Sequence, residues 1–189
     1  MSCLSVALAG RDGIETRHLI QYTYPTDDQL ADVGVTGVFL GYYLPWDGWS
    51  NALVAQAHGF ETWPHPVDGS IVNYENLDNA QTGIHDYFKF LKYGFGRATD
   101  LACTMVRRGR LSRADAIDLV RRHDGRFPWR YLDVPLERIL DDIGMTLDEF
   151  IAVCDRFTNS RLFVTDRHGG LVKDVDGNLT RVNDDNEPE

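Results

Sequence analysis

The chain has 189 residues and a mass of 21.4 kDa, and its 43% hydrophobic and 25% charged residues are typical of a globular protein and exclude a disordered one. This length predicts one compact domain or slightly more. Nineteen Lys and Arg against 29 Asp and Glu give a net charge of -10, which disfavours nucleic acid and anionic membranes as partners.

The cysteines and the apolar stretches indicate the compartment. Cys3, Cys103 and Cys154 lie far apart and include no C-x-x-C pair, so neither a disulfide framework nor a zinc ribbon is predicted. The longest N-terminal apolar run, residues 4–9, is too short for a signal peptide, and no stretch reaches 18 apolar residues. We therefore expect a cytoplasmic protein with reduced thiols, no metal site and no membrane insertion.

The first third of the chain has the pattern of alternating strands and helices. Thr26 and Gln29 have the spacing of a capping box, and residues 35–44 form a nearly continuous apolar run, as in a strand buried on both faces. The predicted elements are a strand at residues 17–24, a helix from Thr26 to near Gly34, a strand at residues 35–44 and a helix at residues 51–58. They predict a partial α/β domain over residues 16–72.

The rest of the chain has a helical pattern. Apolar residues keep a helical period over residues 84–106, which predicts one long helix, although Gly94 and Gly96 within it could mark a break or the close approach of a ligand. Further helices are predicted at residues 114–123, 135–143 and 147–157, the last opened by a Thr146 and Glu149 capping box. The expected domains are a helical unit at residues 82–158 and a β-hairpin-like tail at residues 160–182.

Polar residues concentrate on the long helix and just before it. The chain has only three Lys against 16 Arg, yet Lys89 and Lys92 lie three residues apart, with Arg97 shortly after them. Lys and Arg are common phosphate ligands, so these three residues are candidates for phosphate or substrate binding. The alternative is that they are cationic side chains extending from an amphipathic helix to solvent.

Other polar groups also allow two interpretations. His85 and Asp86, with Glu75 and Asp78 upstream, form an acid/base cluster or a metal site, but no metal-ligand spacing accompanies them, and helix capping and local salt bridges explain them equally well. Tyr74, Asn76 and Asp100 belong to the same polar stretch, in which Tyr74, Glu75, Asn76 and Asp78 are candidate substrate ligands. Trp46 and Asp47 follow the predicted buried strand, where α/β proteins bind ligands, or they belong to a hydrophobic loop. The arginine-rich segment at residues 107–126 is a solvated, internally paired face or a docking surface for an anion.

Three segments resemble the C-terminal half of N-acetyl sugar amidotransferases. They are VGVTGVFLGYYLPWDG (33–48), YENLDNAQTGIHDYFKFLKYGFGRATDLA (74–102) and RRGRLSRADAIDLVRRHDGRFP (107–128). The resemblance implies an α/β fold derived from the parallel sheet of PP-loop ATP pyrophosphatases, followed by a helical unit. It also implies ATP with Mg²⁺ as co-substrate, a nucleotide-linked N-acetyl sugar as substrate and ammonia from a glutaminase partner. The product carries an acetamidino group and decorates lipopolysaccharide O-antigen or flagellin.

The resemblance suggests roles for the candidate residues and leaves one part unmatched. Lys89, Lys92 and Arg97 would stabilise pyrophosphate, and His85, Asp86 or Asp100 would orient or deprotonate ammonia. The family's Ser-Gly-Gly-x-Asp-Ser loop, which grips ATP phosphates, has at best a distorted counterpart at residues 9–13. We therefore expect activity only with a chain that supplies the missing PP-loop half. The alternative is a non-catalytic docking or assembly subunit, or a truncated inactive fragment.

Overall fold

A computed structural model describes residues 14–182, which divide into two units at residue 48. The described part of the first unit contains only short helices: α1 (Thr16–Leu19), a 3-10 helix (Ile20–Tyr22), α2 (Asp27–Val33) and α3 (Leu40–Tyr43). The predicted capping box of α2 is confirmed: Thr26 accepts a hydrogen bond from the Gln29 backbone, and the Gln29 side chain accepts one from the Thr26 backbone. The helix ends at Gly34.

The two strands predicted in the first unit are wrong. Residues 17–22 form helical turns, residues 23 and 24 belong to no helix or strand, and residues 35–44 contain α3 and no strand. A strand needs a neighbour for its backbone hydrogen bonds, and the described residues of this unit provide none. The side chains of Phe39 and Tyr42 are 90% and 87% exposed, so the apolar run is not buried on both faces as the sequence suggested.

The second unit begins with a helix and continues with a helical pair. Here α4 spans Gly48–Ala57, α5 spans Thr82–Tyr93 and α6 spans Arg97–Arg107. The prediction of a single helix over residues 84–106 is wrong, because Gly94 takes a left-handed conformation with φ of 74° and ends α5. The break falls at the two glycines that the sequence marks as a weak point.

The remaining elements follow the sequence pattern closely. They are α7 (Arg113–His123), β1 (Arg130–Tyr131), β2 (Val134–Pro135), α8 (Leu136–Asp141) and α9 (Leu147–Phe157). The predicted capping box of α9 is confirmed at Thr146 and Glu149. Strands β1 and β2 pair in antiparallel fashion around Leu132 and Asp133, whose positive φ angles of 49° and 60° are those of a tight hairpin turn.

The core of the second unit joins α5, α8 and α9 to the segments that follow α7 and α9. Its buried residues are Tyr87, Phe90, Leu91, Phe127, Leu136, Leu140, Phe150, Cys154, Phe163 and Leu179. The C-terminal segment forms isolated antiparallel bridges, such as Phe163 with Arg181 and Lys173 with Leu179. One face of α5 is therefore fixed in the core.

The described residues combine helices with one two-stranded antiparallel sheet. The mixed α and β content is confirmed, but no parallel strand pair occurs in residues 14–182, so the expected PP-loop sheet is not observed there. The domain limits at 16–72, 82–158 and 160–182 stay predictions. Over the same residues, every helix is too short or too polar to cross a bilayer. Cys103 and Cys154 are free thiols, and Cys3 lies outside the described residues.

Gly125 lets the chain pass directly over the core. It has a φ of +70°, and a Cβ atom there would overlap the ring of Phe90. We expect Gly125→Ala to lower the free energy of unfolding by about 3 kcal/mol, because left-handed strain costs about 1–2 kcal/mol and overpacking a core costs about 1–3 kcal/mol more. Urea denaturation followed by circular dichroism measures the loss.

The matched control is Gly109→Ala. Gly109 has a similar φ of +67°, but a Cβ atom added there would have no neighbouring atom within 4 Å, so only the backbone term of about 1 kcal/mol is expected. Equal losses for the two variants would show that contact with Phe90 does not constrain residue 125.

Candidate functional site

Two ion pairs cross the break between α5 and α6. The Asp86 carboxylate accepts hydrogen bonds from Arg97 Nε at 3.1 Å and Arg97 Nη2 at 3.4 Å, and Lys89 pairs with Asp100. Residues three apart on a helix lie on one face, so Asp86 and Lys89 on α5 match Arg97 and Asp100 on α6. The equal spacing of three residues on each helix allows both ion pairs to form across the break at Gly94 and Gly96.

Burial makes the Asp86–Arg97 pair different from a surface salt bridge. The Asp86 side chain is 12% exposed and that of Arg97 is 30% exposed, and a second carboxylate, from Glu75, lies 3.9 Å from Arg97 Nη1. Burial lowers the pKa of Arg97, but its hydrogen bond to Asp86 and the nearby negative charges outweigh that effect and raise the pKa overall. Burial, reinforced by Asp86 and opposed by Arg97, raises the pKa of Glu75. Arg97 is thus a fixed, permanently charged group.

Tyr131 packs beside this pair and stays protonated. Burial and the negative charge of Asp86 raise its pKa to about 12, and its hydroxyl donates a hydrogen bond to the Asn76 carbonyl at 3.2 Å. A Cβ atom on Gly83 would lie 2.6 Å from the Tyr131 ring. The glycine therefore allows β1 to approach α5 and holds the segment before α5 against the site.

A pocket of about 520 Å³ with both charged and apolar lining residues lies next to the Asp86–Arg97 pair. It is lined by residues 65–69, by one face of α5, by Gly96 and Arg97, and by residues 122–130. Pockets that bind small molecules commonly have about 300–1,000 Å³. The combination of a buried ion pair with a cavity of this size makes the pocket the candidate functional site.

Asp124 connects two of the pocket walls. Its Oδ2 atom accepts hydrogen bonds from the Gly96 backbone N–H at 2.8 Å and from the Thr99 hydroxyl at 2.5 Å. These donors belong to the first turn of α6, which has no side-chain cap of its own, so Asp124 acts as a cap from outside the helix. Its Oδ1 atom is buried and has no hydrogen-bond partner among the described residues.

The pocket wall that contains Asp124 also contains His123 and several arginine side chains. Burial lowers the pKa of His123, and the positive charges of Arg122 and Arg126 lower it further, while Asp68 opposes them. His123 is therefore neutral at pH 7. Arg130 makes an ion pair with Asp68 at 3.5 Å. The wall thus combines a neutral imidazole with several guanidinium groups.

The structure brings some predicted site residues together and separates others. Asp86 and Arg97 line the pocket, Glu75 contacts Arg97, and His85 Nδ1 lies 3.2 Å from Asp86 Oδ1 although its side chain is 78% exposed. Asn76 joins this set through Tyr131. The remaining predicted residues, placed away from the pocket lining or in the first unit, are Trp46, Asp47, Tyr74, Asp78, Lys89, Lys92 and Asp100.

The predicted phosphate ligands do not form an open cationic site. Lys89 is paired with Asp100 and Arg97 with Asp86, and Lys92 lies over the Phe157 ring with its Nζ 5.1 Å from the ring centroid. These three cations therefore do not form a free site for the triphosphate of ATP as they stand. A role for these three cations in phosphate binding stays a prediction, and it requires that a bound anion displace their present partners.

Sequence reasoning missed most of the pocket. His65, Asp68, His123, Asp124 and Trp129 line it, and three of them lie in the segment RRHDGRFPWR (121–130). The available signal was a histidine and an aspartate together at the end of a predicted helix, followed by a glycine. Within the described part of the chain, no group of three or more His, Cys, Asp or Glu side chains is placed to hold a metal ion.

One family model matches the chain over residues 60–175, more than half of its length. The family is described as LPS biosynthesis protein WbpG-like, C-terminal domain. The matched segment contains every residue that lines the pocket. No curated protein matches the chain.

The Asp86–Arg97 pair should stabilise the fold more than a surface pair does. A double-mutant cycle with Asp86→Asn and Arg97→Gln, measured by urea denaturation, should give a coupling energy of about 1–2 kcal/mol, because the pair is bidentate and largely buried. The control cycle uses Arg138 and Asp142, an exposed pair 3.5 Å apart on α8 and just after it, with an expected coupling of about 0.3–0.5 kcal/mol. Equal couplings would contradict the buried geometry.

The pocket environment of His123 predicts a pH dependence of stability. Its pKa is lowered in the folded state, so its contribution to stability is complete above the unfolded value of about 6.5 and is lost as pH falls through the folded value. His123→Gln should therefore lose less stability between pH 7 and pH 5 than the unmodified chain. The control substitution is His58→Gln, at an exposed histidine that does not line the pocket. An NMR titration giving His123 a normal or raised pKa would contradict the expectation.

Proposed function

Because the chain belongs to the WbpG-like C-terminal domain family of LPS biosynthesis proteins, we propose that it supplies the substrate side of an ATP-dependent N-acetyl sugar amidotransferase. The predicted resemblance to the C-terminal portion of that family is confirmed. The observation that carries the proposal is the pocket beside the Asp86–Arg97 pair, whose lining residues all lie within the matched segment. The substrate in this proposal is a nucleotide-linked N-acetyl sugar used for lipopolysaccharide O-antigen or for flagellin glycans.

The proposed reaction replaces an oxygen with a nitrogen. ATP adenylylates the oxygen of the sugar's acetamido group and releases pyrophosphate, ammonia attacks the activated carbon, and the oxygen leaves with AMP, so that the product carries an acetamidino group. Such a conversion requires activation of the amide oxygen, which the proposal assigns to ATP bound by a PP-loop segment. The described residues of this chain hold and orient the sugar.

Arg97 is the group best placed to recognise the acetamido oxygen. Asp86 fixes its guanidinium from one side, and part of the side chain still faces the pocket. A fixed N–H donor beside the carbonyl oxygen holds the acetamido group in one orientation, while the second lone pair of that oxygen stays available to attack ATP. The ion pair thus positions the donor that orients the sugar.

His85 is the proposed acid/base group for ammonia. Its Nδ1 faces Asp86 Oδ1 at 3.2 Å, and a carboxylate on one ring nitrogen fixes the tautomer and leaves Nε2 available as a base. His85 does not line the pocket itself, but it contacts Asp86, which does. Asp100, paired with Lys89, then has the lesser role of holding α6 in place.

The proposal includes two partners: a glutaminase that delivers ammonia and a PP-loop segment that binds ATP. Exposed apolar side chains in the first unit support a protein partner, because large aromatic side chains rarely stay in water without one. Phe39 and Tyr42 are the most exposed, and Tyr24, Val33 and Trp46 belong to the same stretch. In this proposal, residues 16–72 are what remains of the PP-loop fold and contact that segment.

The same exposed residues favour a second candidate function. A non-catalytic subunit that docks a complete amidotransferase would also need an apolar surface, and it would not need a pocket that recognises the sugar. Binding of the sugar nucleotide by this chain therefore separates the two candidates.

Calorimetric titration of the purified chain tests the proposal. UDP-N-acetylglucosamine serves as the probe, and UDP-glucose, which has a hydroxyl in place of the acetamido group, is its matched control. We expect UDP-glucose to bind at least about tenfold more weakly, since a lost hydrogen bond to a charged group costs about 1.5–3 kcal/mol. Arg97→Gln should remove the difference between the two ligands.

The control variant is Arg138→Gln, which makes the same change on an exposed part of α8 and should leave both affinities unaltered. Equal binding of the two sugars by the unmodified chain would contradict recognition of the acetamido group. Failure to bind either sugar would favour the docking subunit.

A further inference from the structure

Most charges that line the pocket are matched by a partner within the chain. Asp86 is paired with Arg97, and Asp68 with Arg130. Asp124 accepts hydrogen bonds from the Gly96 backbone and the Thr99 hydroxyl. The two ion pairs cancel in charge, whereas Asp124 keeps its negative charge, and its Oδ1 is buried without a hydrogen-bond partner among the described residues.

Arg122 and Arg126 are the exceptions. Arg122 Nε donates to the Asp118 carbonyl at 3.1 Å, and Arg126 donates from Nε to the Arg122 carbonyl at 3.1 Å and from Nη2 to the Arg121 carbonyl. Neither guanidinium makes an ion pair with a carboxylate in residues 14–182. A guanidinium has five N–H donors, so each retains several that the backbone carbonyls do not use.

The composition of the chain makes this arrangement unusual. With 29 acidic residues against 19 basic ones, a carboxylate partner is easy to supply, as Asp68 does for Arg130. Favourable interaction with the C-terminal end of α7 accounts for a cation at this position, but it does not account for two arginines lining the same cavity. The four arginines that line the pocket outnumber its three aspartates, so the lining carries one net positive charge, although the charge of Arg126 also lowers the pKa of Asp174.

Trp129 adds a flat apolar surface to the same wall. Its ring is fixed, because Nε1 donates to the Asp176 carbonyl at 2.7 Å and the ring packs against Phe127 with centroids 4.6 Å apart. The side chain is nevertheless 43% exposed. A fixed, half-exposed indole beside two cationic groups is suited to a ligand that combines a ring with an anion.

We propose that Arg122 and Arg126 bind the diphosphate of the nucleotide-linked sugar, with one ring of the ligand on Trp129. This inference rests on the proposed function and assigns its phosphate site to residues 122–130 instead of to Lys89, Lys92 and Arg97. Arginine suits the role because its planar group binds two phosphate oxygens at once. With the diphosphate at this wall, the acetamido group of the sugar can face Arg97 across the same cavity.

The pKa of His123 gives an independent test of diphosphate binding. It lies between the two arginines in sequence, and their charges contribute to its lowered pKa. A bound diphosphate introduces negative charge beside the imidazole, which favours the protonated form. The His123 pKa, followed by NMR, should therefore rise when UDP binds and stay unchanged when uridine is added.

The decisive variant is Arg122→Gln/Arg126→Gln. Calorimetry should show UDP binding weakened at least about 30-fold, because two charged hydrogen-bonding groups are removed. The matched control is Arg113→Gln/Arg138→Gln, which changes the net charge equally, with one substitution on the same helix α7, and should stay within about threefold. Thermal denaturation of both variants establishes that they fold.

A conservative variant separates charge from geometry. Arg122→Lys/Arg126→Lys keeps the positive charge but loses the planar fork, so an intermediate loss is expected for UDP. A loss equal to that of the glutamine variant also supports the site, since it assigns binding to the bidentate geometry.

The outcomes distinguish this inference from the proposed function. If UDP-N-acetylglucosamine binds the unmodified chain and the glutamine variant binds it equally well, the diphosphate site is wrong and the proposed function stands. If the unmodified chain binds neither UDP nor UDP-N-acetylglucosamine, both are overturned. Weakened UDP binding together with equal affinities for UDP-glucose and UDP-N-acetylglucosamine would support the diphosphate site alone.

Discussion

The carboxylate of Asp124 joins two of the helices that border the pocket. The first turn of α6 has unpaired backbone donors, as every helix does, and the residue before the helix is Gly96, which has no side chain to accept them. Asp124, directly after α7, supplies the missing acceptor. The absence of a side chain at residue 96 is what allows this contact, because a Cβ atom there would lie 2.6 Å from Asp124 Oδ1. The start of α6 and the end of α7 are thereby held together, and Arg97 is placed at the pocket. Gly125 and Gly83 extend this support, since they lie on the rings of Phe90 and Tyr131 and bring the walls of the cavity close to α5. A site whose walls are fixed in this way loses little entropy when a ligand binds.

The local features of the fold could be predicted from sequence, and the contacts between distant segments could not. Capping residues such as Thr26 and Thr146 act within three residues of their own helix, so their spacing identifies the helix start. The prediction of a strand at residues 35–44 failed because an apolar segment becomes a strand only beside a partner, which periodicity does not reveal. The position of Asp86 near Arg97 follows from a turn at Gly94 that the sequence only suggested.

The residues of the pocket were likewise only partly predictable from the sequence. Asp86 and Arg97 were identified because they lie in one dense polar stretch, whereas Asp124 acts on a helix that begins 27 residues earlier in the chain. The sequence presents the arginines of residues 107–126 as one basic zone, and the structure divides them. Arg122 and Arg126 line the pocket, while Arg107 and Arg108 border a separate, open depression with Thr104 and Arg110. The order of charged residues in the sequence does not show which arginines line the pocket.

The two kinds of cation in the site have different physical consequences. An arginine paired with a buried carboxylate, such as Arg97, is oriented by its partner and acts as a fixed donor, but binding an anion there would require separating the pair. An arginine whose hydrogen bonds go to backbone carbonyls, such as Arg126, keeps unused N–H donors and gains a hydrogen-bonded anion only when a ligand enters. Recognition of a neutral amide oxygen suits the first kind, and binding of a phosphate suits the second. The distribution of carboxylates around the pocket, more than the positions of the cations themselves, therefore determines which part of a ligand each arginine can hold.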